Sequence, residues 1–167
     1  MRRHPLLHPF FLAAAILAAI ASALTWAIAA TTTGTFSVTA TVQAMCQIST
    51  NPLAFGTYTG TQIDATSTLS VTCTNTTPYN VGLNAGTATG ATVTTRRMTG
   101  PGANLLNYAL YSNAGRTTNW GNTVGTDTVA GTGNGTAQSL TVYGRLPAAQ
   151  FNTPGAYSDT ITATVTY

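Results

Sequence analysis

The chain contains no lysine and no glutamate, and its only histidines, His4 and His8, lie at the extreme N-terminus. Of 167 residues, 5% are charged, against roughly 25% in an ordinary globular domain. Every cation is arginine (Arg2, Arg3, Arg96, Arg97, Arg116, Arg145) and every anion is aspartate (Asp64, Asp127, Asp159). Long amphipathic helices are excluded in practice, because their polar faces draw on Glu, Lys, Arg and Gln. The scarcity of charge also argues against disorder, since 44% hydrophobic residues supply a core and little self-repulsion opposes collapse. What fills the chain is Thr, Ser, Asn, Gly and Ala, the residues of strand faces and tight turns.

The first thirty residues have the form of a secretory signal. Arg2 and Arg3 precede an apolar run from Phe10 to Leu24, followed by Ala27-Ile28-Ala29, and cleavage is expected after Ala29 or Ala30. An uncleaved anchor is the competing reading, because Phe10 to Ala30 could span a bilayer at about 20 residues. The small residues and the following Thr run favour cleavage. Both histidines leave with the signal, and four arginines then face three aspartates. That balance gives no reason to expect nucleic acid as a partner, and no stable membrane insertion of the mature chain is expected.

Chemistry is equally constrained. Without His, Lys or Glu, only the three aspartates could act as general acids or bases, and no serine has a side-chain base of the usual kind. No enzyme, no metal site and no cofactor is expected. Cys46 and Cys73 read as one disulfide in an exported chain, worth roughly 3 to 4 kcal/mol in the chain-entropy model.

Alternation dominates from Gly34 onward. Phe36, Val38, Ala40 and Val42 share one face of a strand, with Thr35, Ser37, Thr39 and Thr41 on the other. Short strands recur at Cys46-Gln47-Ile48, Leu53 to Tyr58, Thr68 to Cys73, Tyr79 to Leu83, Asn104 to Tyr111 and Leu140 to Gly144, with a last one over Tyr157 to Tyr167. Both cysteines sit on strands, which suits a bridge between neighbouring or facing strands. Gly133-Asn134-Gly135 predicts a hairpin turn, and Asn84 to Thr95 a crossing without regular structure. Arg96-Arg97 reads as a solvated loop, and Tyr108, Tyr111 and Trp120 as packing residues before a sugar-stacking patch. The pattern predicts an all-β antiparallel sandwich.

Several of these segments, in order, resemble the spore coat protein U domain family, which includes pilin subunits of archaic chaperone–usher pili of the Csu type. They are Gly34 to Val42 leading to Cys46, Leu53-Ala54-Phe55-Gly56-Thr57-Tyr58, Val71-Thr72-Cys73, Asn107 to Ser112, Arg116 to Gly121, and Pro154 to Ile161 with the terminal Tyr167. The resemblance covers essentially residues 31–167. It implies an incomplete immunoglobulin-like antiparallel β-sandwich, completed by a donor strand from a neighbouring subunit. The expected organisation is a cleaved signal over 1–30, a donor extension over 31–43 and the sandwich over 44–167.

In that scheme Phe36, Val38, Ala40 and Val42 are the groove-filling side chains, and the Tyr167 carboxylate is a candidate anchor for a chaperone. The expected partners are homologous pilin subunits, a periplasmic chaperone and an outer-membrane usher. The implied role is a structural subunit of a secreted surface pilus that supports adhesion and biofilm formation. A secreted spore or cell-coat protein and a free-standing carbohydrate-binding sandwich are the alternatives.

Overall fold

The computed structural model describes residues 28–167. Most of the expected signal therefore lies outside the described residues; Ala29 and Ala30 are exposed. The chain divides into a unit ending at Ala40 and a second from Thr41 to Tyr167. Residues 28–45 contain no strand. The expected strand over Thr35 to Val42 is thus absent, although its alternation stands, because a ladder requires a partner.

Eight strands follow: β1 Cys46–Thr50, β2 Ile63–Cys73, β3 Pro78–Leu83, β4 Arg96–Thr99, β5 Leu105–Tyr111, β6 Val129–Thr132, β7 Gln138–Leu146 and β8 Ala163–Thr166. A 3-10 turn, Pro101–Ala103, precedes β5. One sheet has the order β1-β2-β7-β5-β4 and the other β6-β3-β8, and every pairing is antiparallel. This is the expected all-β sandwich.

The period-2 pattern decides which face is buried. In β2, Leu69, Val71 and Cys73 point inward while Thr66, Thr68 and Ser70 point out. Leu106, Tyr108 and Leu110 of β5 and Val142 and Leu146 of β7 complete that sheet's inner face, opposite Tyr79, Val81 and Leu83 of β3. Cys46 and Cys73 are register partners and are disulfide-bonded, with Cα atoms 4.1 Å apart. The bridge therefore fastens neighbouring strands of one sheet. Gly133 to Gly135 is not a hairpin: it joins β6 to β7, which belong to different sheets. Gly135 does adopt the left-handed φ of 77° that its residue type favours.

Two residues pin the sheets together. The Trp120 indole N–H donates to the Val81 carbonyl of β3 at 2.8 Å, and its backbone N–H donates to Leu110 of β5 at 3.0 Å. Arg96, expected in a solvated loop, is instead fully buried at the start of β4. Its guanidinium donates to the carbonyls of Leu83, Asn84, Val93 and Trp120 at 2.6 to 2.9 Å. Burial pulls its pKa below the ordinary arginine value, and four oriented carbonyl dipoles compensate the charge where no carboxylate bonds it. Replacing Arg96 by Met orphans those carbonyls. The expected cost is about 3 kcal/mol or more, read from denaturant unfolding followed by Trp120 emission; a loss below about 1 kcal/mol would contradict the pinning role.

Candidate functional site: an open groove between the sheets

The feature that stands out is a groove of about 1130 Å³. One wall is the stretch after β1, with Leu53, Phe55 and Tyr58 half-buried; the other precedes and enters β8, with Tyr157, Ile161 and Ala163 half-buried. Leu69, Leu106, Leu110, Val142 and Leu146 lie beneath. The edge-on contact of Phe55 with Tyr108, 6.1 Å between ring centres, seats the first wall on the core. Gly144 is required there: a β-carbon would meet Leu53 and Phe55 at 2.9 Å.

Much of both walls is unpaired, although the second is tied at Ser158, which exchanges backbone hydrogen bonds with Thr99, and at Thr162, whose carbonyl accepts from the Asn84 N–H. Among the described residues, 52–59 and 150–157 form no backbone-to-backbone hydrogen bond. An apolar cleft flanked by backbone whose N–H and C=O groups are in large part without backbone partners is a template for one added strand.

Side chains hold the walls where a ladder would otherwise do so. The Tyr58 hydroxyl donates to the Pro147 carbonyl at 2.7 Å and accepts from the Gln150 N–H at 3.0 Å. Gln150 brackets the β5 backbone, accepting from Asn107 N–H at 2.8 Å and donating to its carbonyl at 2.9 Å; the Asn152 amide donates to Leu105 O at 2.6 Å. On the β8 wall, Asp159 accepts from the Tyr108 hydroxyl at 2.7 Å. It also accepts from the Thr87 N–H and hydroxyl and from Thr160 N–H. Burial and the hydrogen bond to Asp159 push the Tyr108 phenol well above its usual value. Burial acts to raise the Asp159 pKa, but the donors from Thr87, Tyr108 and Thr160 outweigh it and hold the carboxyl below 3.8.

The other aspartates are also engaged. Asp64 forms a bidentate pair with Arg145 at 2.8 and 2.9 Å, with Arg116 at 3.4 Å, and the Arg145 hydrogen bonds depress its pKa. Asp127 accepts from the Thr123 N–H at 2.7 Å.

Of the residues singled out in the sequence, Cys46 and Cys73 are joined. Phe36, Val38 and Val42 are 81 to 87% exposed, and Ala40 is exposed. Tyr167, one residue beyond β8, is 58% exposed. Tyr108 and Trp120 are core residues, and Tyr111 is half-buried. The anchoring roles of Tyr58, Gln150, Asn152 and Asp159 carry no motif, because polar residues in a loop read as solvated until the backbone they satisfy is known.

The Spore Coat Protein U domain profile matches residues 32–164, and the chain belongs to that family. It is 36% identical over 156 residues to "Protein U" of Myxococcus xanthus, covering 83% of this chain and 87% of that one. The fold is similar to that of a chain in the crystal structure of the CsuC-CsuE chaperone-tip adhesion subunit pre-assembly complex from archaic chaperone-usher Csu pili of Acinetobacter baumannii. There the TM-score is 0.57 at 24% identity, with 76% of this chain covering 40% of that one. At that identity the likeness is one of fold.

The depressed Asp159 pKa has a consequence for stability. The carboxylate contributes fully above the ordinary value of 3.8, and the contribution is lost as pH falls through the lower folded value. Asp159→Asn is expected to lower the thermal midpoint at pH 7 and to narrow the gap to wild type as the pH drops below 4; an equal gap at both pH values would contradict this.

Proposed function

We propose that the mature chain is an exported structural subunit of a surface pilus, assembled by donor-strand complementation. One observation carries the reading: the chain has both an apolar groove walled in large part by backbone without backbone partners and an exposed, alternating apolar segment of the kind that fills one. The segment 31–43 of one copy enters the groove of the next. Phe36, Val38, Ala40 and Val42 face the core, and the intervening backbone pairs with the two walls. Full burial of Phe36, Val38 and Val42 gives roughly 1.5 to 3 kcal/mol each, before the new hydrogen bonds. Because donor and acceptor are different surfaces, the contact is heterologous and propagates without closing.

The rest of the proposal follows from that exchange. Residues 1–30 act as a signal cleaved after Ala29 or Ala30, and residues 44–167 form the sandwich. An unfilled groove is an association hazard, so a periplasmic chaperone covers it during export, with the Tyr167 carboxylate as an anchor, and an outer-membrane usher passes subunits to the fibre. Adhesion and biofilm formation are the expected roles of that fibre at the cell surface. The fold likeness to a Csu-pilus complex chain supports this reading, and the aspartates, each engaged in hydrogen bonds that hold the fold, support a structural role over catalysis.

The 36% identity to Protein U favours a second reading, in which the same exchange builds a coat. Periplasmic expression with and without residues 31–42, run unheated on a denaturing gel, tests the exchange. The full chain is expected to give a heat-sensitive ladder and the deletion none; monomer in both lanes would contradict it. Electron microscopy of the ladder-forming material separates filament from coat.

A further inference from the structure

Phe151 is a large apolar side chain that is 89% exposed, yet its backbone is firmly held. Its neighbours Gln150 and Asn152 are both hydrogen-bonded by their side chains to the β5 backbone. Between two inward anchors in an extended segment, the residue in the middle must point the other way. Its ring reaches over Gly60, where a β-carbon would lie 3.4 Å from the ring edge. Phe151 thus stands at one end of the groove, where the Ala149 N–H donates to Gly60 O at 2.9 Å and draws the walls together.

Strand register shows which end this is. Cys46, where the donor segment joins its own sandwich, pairs with Cys73. Gly60 and Ala149 flank the opposite end of β2, where Ile63 pairs with Leu146 of β7. The 11 residues of β2 separate these ends by about 33 Å. A repeating head-to-tail contact requires the incoming copy at the end that the acceptor's own donor does not leave from. The donor therefore runs from Thr31 to Val42 toward Gly60, antiparallel to Tyr157–Ala163. Its root, with Val42 85% and Met45 55% exposed, arrives beside Phe151.

Resting on the donor-strand reading, we propose that Phe151 is the acceptor half of an end-to-end joint between copies, packing against Val42 and Met45 of the incoming copy. The joint adds an aromatic–aliphatic and sulfur–aromatic contact outside the groove proper. It fixes donor direction and stiffens the link between successive domains.

The test uses the full exported chain with a benzophenone-bearing phenylalanine analogue at position 151. Irradiation is expected to give a dimer-sized adduct whose peptide map joins position 151 to residues 42–45 of a second copy. In parallel, Phe151→Ser is expected to form the Cys46–Cys73 bond and keep native Trp120 emission, while its ladder comes apart at a lower temperature than wild type; Phe151→Leu restores part of the difference. A ladder that forms without the adduct, an adduct elsewhere, or a Phe151→Ser ladder as heat-resistant as wild type overturns the joint alone. Failure of the wild-type chain to form a ladder overturns the donor reading and the joint together.

Discussion

Two lengths of backbone without backbone partners, 52–59 and 150–157, border an apolar groove with no strand between them, and the rest of the molecule is arranged around that gap. A sandwich buries its core only when both sheets are closed. Here the sheet of β6, β3 and β8 is three strands wide against five in its partner, and one side of the core stays open at the groove. N–H and C=O groups without backbone partners along 52–59 and 150–157 make the gap polar at its rims as well as apolar at its floor.

Keeping a cleft open in a domain of this size demands rigidity from elsewhere. The disulfide ties β1, the strand that leads into the first wall, to β2. Arg96 and Trp120 clamp the sheets through main-chain carbonyls. The walls rest on single side chains, with Tyr58 and Gln150 at one end and Asp159 with Tyr108 on the β8 side. Each anchor satisfies backbone or a buried hydroxyl without occupying the groove. The shortage of charge fits this economy: Asp64, Asp127 and Asp159 and the buried Arg96 all work inside the fold. What faces solvent is a nearly neutral Thr/Ser coat, which offers little repulsion to close packing of copies.

Much of this was legible from alternation. The inward residues of β2, β3, β5 and β7 follow their period-2 pattern, and so do Tyr157, Ile161, Ala163 and Val165, although only Ala163–Thr166 forms a strand. Pairing was not legible, because alternation marks a face and never names a partner. Hence Thr35 to Val42 reads as a strand but forms no ladder, and Gly133 to Gly135 reads as a hairpin although it crosses between sheets. The burial of Arg96 escapes the sequence for a different reason. An arginine pair beside a Gly/Thr stretch has the composition of a solvated loop, and only the convergence of four carbonyls from distant positions makes burial of the cation affordable. The groove itself is a property of how unpaired segments meet, and no single residue announces it.

Amide hydrogen exchange compares the two states of the groove most directly. In assembled material, the N–H groups of residues 36–42 and 53–59 should both exchange slowly, and those of 53–59 should become fast in a chain lacking residues 31–42. Protection of neither segment on assembly, or slow exchange of 53–59 in the truncated chain, would contradict the account.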